Sequence, residues 1–152
     1  MSETDRFKVL IDRDDTVMVV IDVQEKLLPA IHEGQKVVKN TNKLLQAGEI
    51  MDIPVILTEQ KKLGDTVEDL ANRPDPVEKV SFNCFLNDEF VSQLNELGRN
   101  TLILAGIEAH ICVAQTALAA MDDGYDAHLV ADAVSSRKKE DKELGIARCR
   151  SE

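Results

Sequence analysis

Leu102-Ile103-Leu104-Ala105-Gly106-Ile107-Glu108-Ala109-His110-Ile111-Cys112-Val113 is the stretch on which the reading of this chain turns. An apolar strand ends at a glycine, and a few residues later a cysteine falls in the first turn of an alanine-rich helix. A helix start leaves N–H groups unpaired and carries the positive end of the helix dipole, so it lowers the pKa of a cysteine placed there. The thiolate is the nucleophilic form. A free cysteine is equally at home as a small core residue, and position alone leaves both readings open for Cys112.

Working outward, strand-like runs alternate with segments of helical period, the pattern of a parallel α/β sheet. Thr16–Ile21 is a continuous apolar run, as expected of a central strand buried on both faces. Val37, Thr41, Leu44, Leu45, Gly48 and Met51 recur at helical spacing over residues 35–51. Ile53–Thr58 reads as the second strand, Thr66–Leu70 as a weak helical turn, and Pro76–Phe82 as a short third strand carrying Lys79. Phe90, Val91, Leu94 and Leu97 form the face of the next helix, with Asn87 as N-cap and Gly98 closing it. Thr101–Ala105 is the fourth strand, Cys112–Met121 a helix, and Asp126–Ala131 the fifth strand. Lys138–Arg148 reads as a mostly polar helix anchored by Leu144, Ile146 and Ala147.

The 152 residues, read as one domain over 1–152, are 43% hydrophobic and 30% charged, a globular composition. A net charge of −10, with no basic stripe interleaved with aromatics, argues against nucleic acid or an anionic membrane as partner. No apolar run approaches the roughly 20 residues that span a bilayer. Met1–Arg6 shows no secretory signal. Cys84, Cys112 and Cys149 have no metal-type spacing, and His32, His110 and His128 are scattered. Reduced thiols in the cytoplasm, with no metal and no cofactor, are the expectation.

An aspartate closing strand one in Val19-Val20-Ile21-Asp22-Val23-Gln24, a lysine in Lys79 with Ser81-Phe82, and the Gly106–Val113 segment stand in one order. Together they resemble the isochorismatase-like cysteine hydrolases, and Leu129–Arg137 resembles that family's fifth strand and following loop. The similarity runs over residues 14–148. It implies a three-layer, Rossmann-like parallel sheet of order 3-2-1-4-5, in which strands one and four are central neighbours. Ligands in such sheets bind beyond the carboxyl ends of the strands, where the order reverses. The family continues with a further strand and a closing helix beyond the residues matched here, so strand five is expected at a sheet edge. An open edge favours a homo-oligomer joined near strand five or the last helix.

The resemblance also implies a chemistry. Asp22 takes the thiol proton, Lys79 holds positive charge beside the thiolate, and Cys112 attacks an electrophilic carbon. The backbone N–H groups of Glu108 and Cys112 form the oxyanion hole, next to a cis peptide between Ile107 and Glu108. The expected activity is metal-independent cleavage of a small amide, or of a related C–N or ester bond, in a small-molecule substrate. Thr58-Glu59-Gln60-Lys61-Lys62-Leu63-Gly64 lacks the histidine of the metal cluster in nicotinamidase-like members, and the chain looks more like the uncharacterised isochorismatase-domain branch.

Residue by residue, other roles remain open. Asp22 can cap the helix after strand one, and Lys79 can be a solubilising edge charge. His110, two positions from Cys112 on a helix, does not face it and reads as a rim or capping residue; Cys84 reads as buried between aromatics. At the level of the whole chain, a catalytically silent oligomeric scaffold and a redox-sensing thiol protein compete with the hydrolase. An activated Cys112 would alkylate at neutral pH far faster than Cys84 or Cys149.

Overall fold

Six consecutive buried residues make β1, Thr16–Ile21, the spine of the molecule. Successive side chains of a strand point to opposite faces, and here each face meets its own cluster. Val17, Val19 and Ile21 pack with Phe90, Leu94, Ala117 and Val134 on one side. Val20 packs with Val37, Leu45 and Leu57 on the other, and Met18 with Ile53 and Ile103. Each such Val, Leu or Ile contributes about 1.5–3 kcal/mol of burial energy. The computed structural model describes residues 10–152; the reading of Met1–Arg6 lies outside them.

Around β1 the sheet is β2 (Val55–Gln60), β3 (Pro76–Lys79), β4 (Thr101–Ile107) and β5 (Asp126–Ser135). All pairs are parallel, as the alternation of strands and helices implies, and the order is β3-β2-β1-β4-β5, as the family resemblance implies. Helix α1 (Gly34–Met51) covers one face; α2 (Asp88–Leu97), α3 (Ala114–Asp122) and α4 (Lys139–Arg150) lie on the other. The Asn87 side chain accepts from the Phe90 N–H, and Gly98 closes α2 at φ +62°.

Several boundaries move for local reasons. β2 starts at Val55 because the Pro54 carbonyl, not a strand residue, accepts from the Met18 N–H at 2.9 Å. Thr66–Leu70 holds a single turn, closed by the Leu70 N–H to the Val67 carbonyl at 3.2 Å, and starts on Thr66, whose N–H and hydroxyl donate to the Glu59 carboxylate at 2.8 and 2.7 Å and which bridges Gln24. β5 runs four residues past Ala131, because a register shift between Leu104 and Gly106 lets Val134 and Ser135 rejoin β4. Gly106, at φ +125°, lies so close to β1 that a Cβ there would fall 2.7 Å from the Ile21 nitrogen. The expected single helix over Cys112–Met121 is two pieces, a π-turn at Ala109–Val113 running into α3.

Of the three expected anchors of α4, Ile146 packs against the core, while Leu144 and Ala147 stay exposed. Leu144 is 66% exposed, whereas Gly145 is the residue buried. A Cβ at Gly145 would sit 2.7 Å from the Ala109 carbonyl oxygen and 2.8 Å from the His110 Cα. Two effects therefore oppose each other in Gly145→Ala. Helix propensity favours alanine by roughly 0.5–1 kcal/mol, and overpacking against backbone costs about 1–3 kcal/mol. We expect a net loss of stability, read as a lower urea midpoint at unchanged slope, with Leu144→Ala nearly neutral; a Gly145→Ala protein more stable than the parent would refute the close docking of α4.

Candidate active site

Three of the residues singled out by sequence converge at the carboxyl ends of the strands. Asp22 follows β1 directly, in a left-handed conformation (φ +52°) that aspartate tolerates better than most residues. It caps no helix, since α1 begins twelve residues later behind Glu33. Its carboxylate is 1% exposed; Oδ1 accepts from the Thr58 hydroxyl at 2.8 Å and Oδ2 from the Lys79 ammonium at 2.9 Å.

Lys79 is the last residue of β3, on the same inward face as Val77, while Pro76 and Glu78 point out. It is the largest fully buried side chain of the described residues, so it is no solubilising edge charge. The ammonium also donates to Gln60 Oε1 at 2.7 Å and to the carbonyls of Ser81 at 2.9 Å and Phe82 at 3.4 Å, and lies 3.6 Å from Cys112 Sγ. Burial pulls its pKa down, but Asp22 and Cys112 more than offset this and hold it above the usual lysine value. A buried ammonium is tolerable only when it is paired and hydrogen-bonded, as here.

Cys112 sits in the π-turn, 7% exposed, and joins the apolar cluster beneath α3. Its two sequence roles coincide: it packs as a core residue and still touches the lysine. Burial first, and then the Asp22 carboxylate, push its thiol up to about 12, against the pull of Lys79. The direction is opposite to the lowering expected of a helix start: in a dry site beside a carboxylate, the charged form of the thiol is disfavoured. Cys84 is fully buried and pushed up to about 11 by burial, and the half-buried Cys149 is raised by burial too.

The turn itself starts at Glu108, whose peptide with Ile107 is cis. The Glu108 carbonyl accepts from the N–H groups of Ile111 at 3.1 Å and Val113 at 3.2 Å. Its buried carboxylate accepts from the Arg137 main-chain N–H at 3.0 Å and from Nε at 3.2 Å. The ring of His110 turns toward Ser136 and Asp141 rather than to Cys112.

Thr58, Gln60 and Gln24 were not singled out by sequence. Gln60 is locked by a reciprocal pair with Gln24, its N–H donating to Gln24 Oε1 at 2.8 Å while Gln24 Nε2 donates to its carbonyl at 2.9 Å. The signal available was position: both Thr58 and Gln60 lie at the end of the strand beside Asp22. A surface hollow of about 340 Å³ bordered by Gln60, Lys61, Lys62 and Val80 opens next to this lock. A slightly larger one, about 370 Å³ and lined by residues such as Gly98, Asn100, Gly124 and Tyr125, lies at the opposite, amino ends of β4 and β5. The chemistry is all at the carboxyl ends, where parallel sheets bind ligands. No helix among the described residues is long and apolar enough to cross a membrane.

The sequence profile of the isochorismatase domain matches residues 16–152. Isochorismatase domain-containing protein 2 of Danio rerio is 42% identical over 139 residues, which cover 89% of this chain and 70% of that protein. Among solved structures, the MAR1 ribonuclease of Caenorhabditis elegans is 32% identical with a TM-score of 0.85, covering 93% of this chain and 75% of the other. The YcaC gene product of Escherichia coli, described as an octameric hydrolase of unknown specificity, is 28% identical with a TM-score of 0.88, covering 94% and 74%.

The electrostatics fix the sign of a pH effect. Below about pH 12 the Cys112 thiol dominates, so its alkylation by iodoacetamide should climb about tenfold per pH unit through the alkaline range, without a plateau near neutrality. Asp22→Asn removes a charge that raises the pKa and should speed labelling at pH 8; Lys79→Met should slow it. A neutral-pH plateau in the parent would contradict this. Lys79→Met also strands a buried carboxylate, and we expect a loss of about 3–5 kcal/mol in chemical denaturation.

Proposed function

The chain belongs to the isochorismatase domain family, and on that premise we propose that it is a metal-independent cysteine hydrolase of a small amide, or of a related C–N or ester bond, working through Asp22, Lys79 and Cys112. The observation that carries this reading is one buried ammonium that touches both an acceptor and a thiol: Lys79 Nζ lies 2.9 Å from Asp22 Oδ2 and 3.6 Å from Cys112 Sγ.

At rest the thiol keeps its proton. As Sγ bonds to the substrate carbonyl carbon, that proton passes to the Asp22 carboxylate, and Lys79 stabilises the negative charge gathering on sulfur. The carbonyl π electrons move to oxygen, which the N–H groups of Glu108 and Cys112 receive. When the C–N bond breaks, Asp22 returns the proton to the leaving amine and a thioester remains. Water then attacks the thioester, again giving its proton to Asp22. The C–S bond breaks, the acid leaves, and the proton goes back to sulfur. A positioned base contributes typically about 10²–10⁴-fold and each oxyanion donor about 10²–10³-fold.

Metal independence rests on the segment closing β2: Thr58–Gly64 carries no histidine where the nicotinamidase-like members hold their metal cluster. The high thiol pKa weighs against a redox sensor, since oxidation needs thiolate and access. The net charge of −10 favours a small-molecule substrate over the RNA suggested by the ribonuclease relative. A single domain spanning 1–152, a cytoplasmic location and a homo-oligomer are parts of the same proposal; the octameric relative supports the last.

A panel of small amides and esters tests the reading. We expect turnover that survives chelation, disappears in Cys112→Ala, and falls about 10²–10⁴-fold in Asp22→Asn, with a thioester adduct on Cys112 in intact-mass spectra. Turnover lost on metal removal would overturn metal independence; hydrolysis unaffected by Cys112→Ala would overturn the nucleophile.

A further inference from the structure

The π-turn that carries Cys112 buries Ala109, Cys112 and Val113 in the core and leaves His110 at its rim. Its wide backbone closes through bonds such as Val113 N–H to the Glu108 carbonyl at 3.2 Å and Ala114 N–H to the Ala109 carbonyl. Such turns are rare and depend on their surroundings. The surroundings here meet at one side chain. His110 Nδ1 lies 2.8 Å from Ser136 Oγ, just beyond the end of β5, and Nε2 lies 3.9 Å from Asp141 Oδ2, in the first turn of α4. Ser136 is fully buried, so its hydroxyl depends on a protein partner, and the imidazole is that partner. Immediately beneath, Gly145 brings the α4 backbone onto Ala109 and the His110 Cα.

We propose that His110 is a positioning residue: held between Ser136 and Asp141, it staples the π-turn to the end of β5 and to α4, and so sets the direction in which Cys112 and the N–H groups of the turn point. Its role in turnover rests on the hydrolase reading; its hold on the turn does not. The two ties are unequal. The Ser136 contact is a short hydrogen bond, whereas the Asp141 carboxylate stands at 3.9 Å, beyond hydrogen-bond range. The groups held in place act on charge that develops in the transition state, so losing the staple should lower kcat and leave KM nearly alone. A misplacement of about 1 Å is worth as much as 10²-fold.

The experiment compares His110→Ala, His110→Asn, His110→Gln and Ser136→Ala in the full chain. Asparagine places a polar atom where Nδ1 stands and can keep the Ser136 bond; glutamine reaches only toward the Nε2 position. Amide hydrogen exchange of the peptide covering 108–114 should speed up at least tenfold in His110→Ala and Ser136→Ala and return most of the way in His110→Asn, while glutamine behaves like alanine. Peptides from β1 and α1 should be unchanged, which separates a loosened turn from a failed fold. On a substrate found in the amide panel, kcat should fall about 10–100-fold in the same order with KM within a few-fold. Unchanged exchange at 108–114 in both alanine variants overturns the staple, whether or not any amide is turned over. Where an amide is turned over, unchanged kcat in His110→Ala, or a rise in KM alone, overturns the positioning role and leaves the hydrolase reading standing.

Discussion

The ion pair between Lys79 and Asp22 organises everything near it. A lysine ammonium and an aspartate carboxylate, both essentially without solvent exposure, hold each other at 2.9 Å across two strand ends. Neither would be stable there alone, because desolvating a single charge costs several kcal/mol. The remaining protons and lone pairs are accordingly satisfied: Thr58 and Lys79 on the carboxylate, Gln60 and two backbone carbonyls on the ammonium. Gln24 then braces Gln60. A shell of ordinary polar residues at the end of β2 thus exists to make one buried pair tolerable. The same pair places a fixed positive charge 3.6 Å from sulfur.

The sheet explains why those groups meet. β1 and β4 run side by side through the core, and the segments leaving them diverge, one into the turn bearing Asp22, the other into the π-turn bearing Cys112. The reversal of strand order opens a crevice at just this place. Lys79 enters from the edge strand, two positions away in the sheet. Its long stem lies along the inward face of β3 and its head reaches the cluster, an arrangement open to lysine because four methylenes can be buried while the ammonium finds its partners.

The thiol shows how burial and charge divide the work. Lys79 alone would favour a thiolate, but burial and the nearby carboxylate outweigh it, and the sulfur rests protonated. In the proposed mechanism such a resting thiol gives up its proton only as it attacks, so its reactivity would be coupled to a substrate.

How much of this was legible in the chain follows from the range of each interaction. Strand and helix periodicity, the caps at Asn87 and Gly98, and the parallel α/β pattern come from local patterns, which a sequence records directly; the strand order came from the family resemblance. Asp22, Lys79 and Cys112 were marked by their places at strand ends and by resemblance to a family. What no local pattern holds is the partner of each. Thr58 looked like the end of a strand and Gln60 like the loop after it, Leu144 like one of three anchors of α4, and Thr66–Leu70 like a weak helical turn. Their true roles depend on residues outside the local pattern: Asp22 and Lys79, 36 and 19 positions away, for the first two, the Ala109–His110 backbone lying against Gly145 in place of Leu144, and the Glu59 carboxylate, seven positions back, for Thr66. The sign of the Cys112 pKa shift belongs to the same class. The helix start that argues for a low value is visible in the sequence, but the desolvation and the carboxylate that reverse it exist only once the chain has folded, because both are properties of the space around the sulfur and not of its neighbours along the chain.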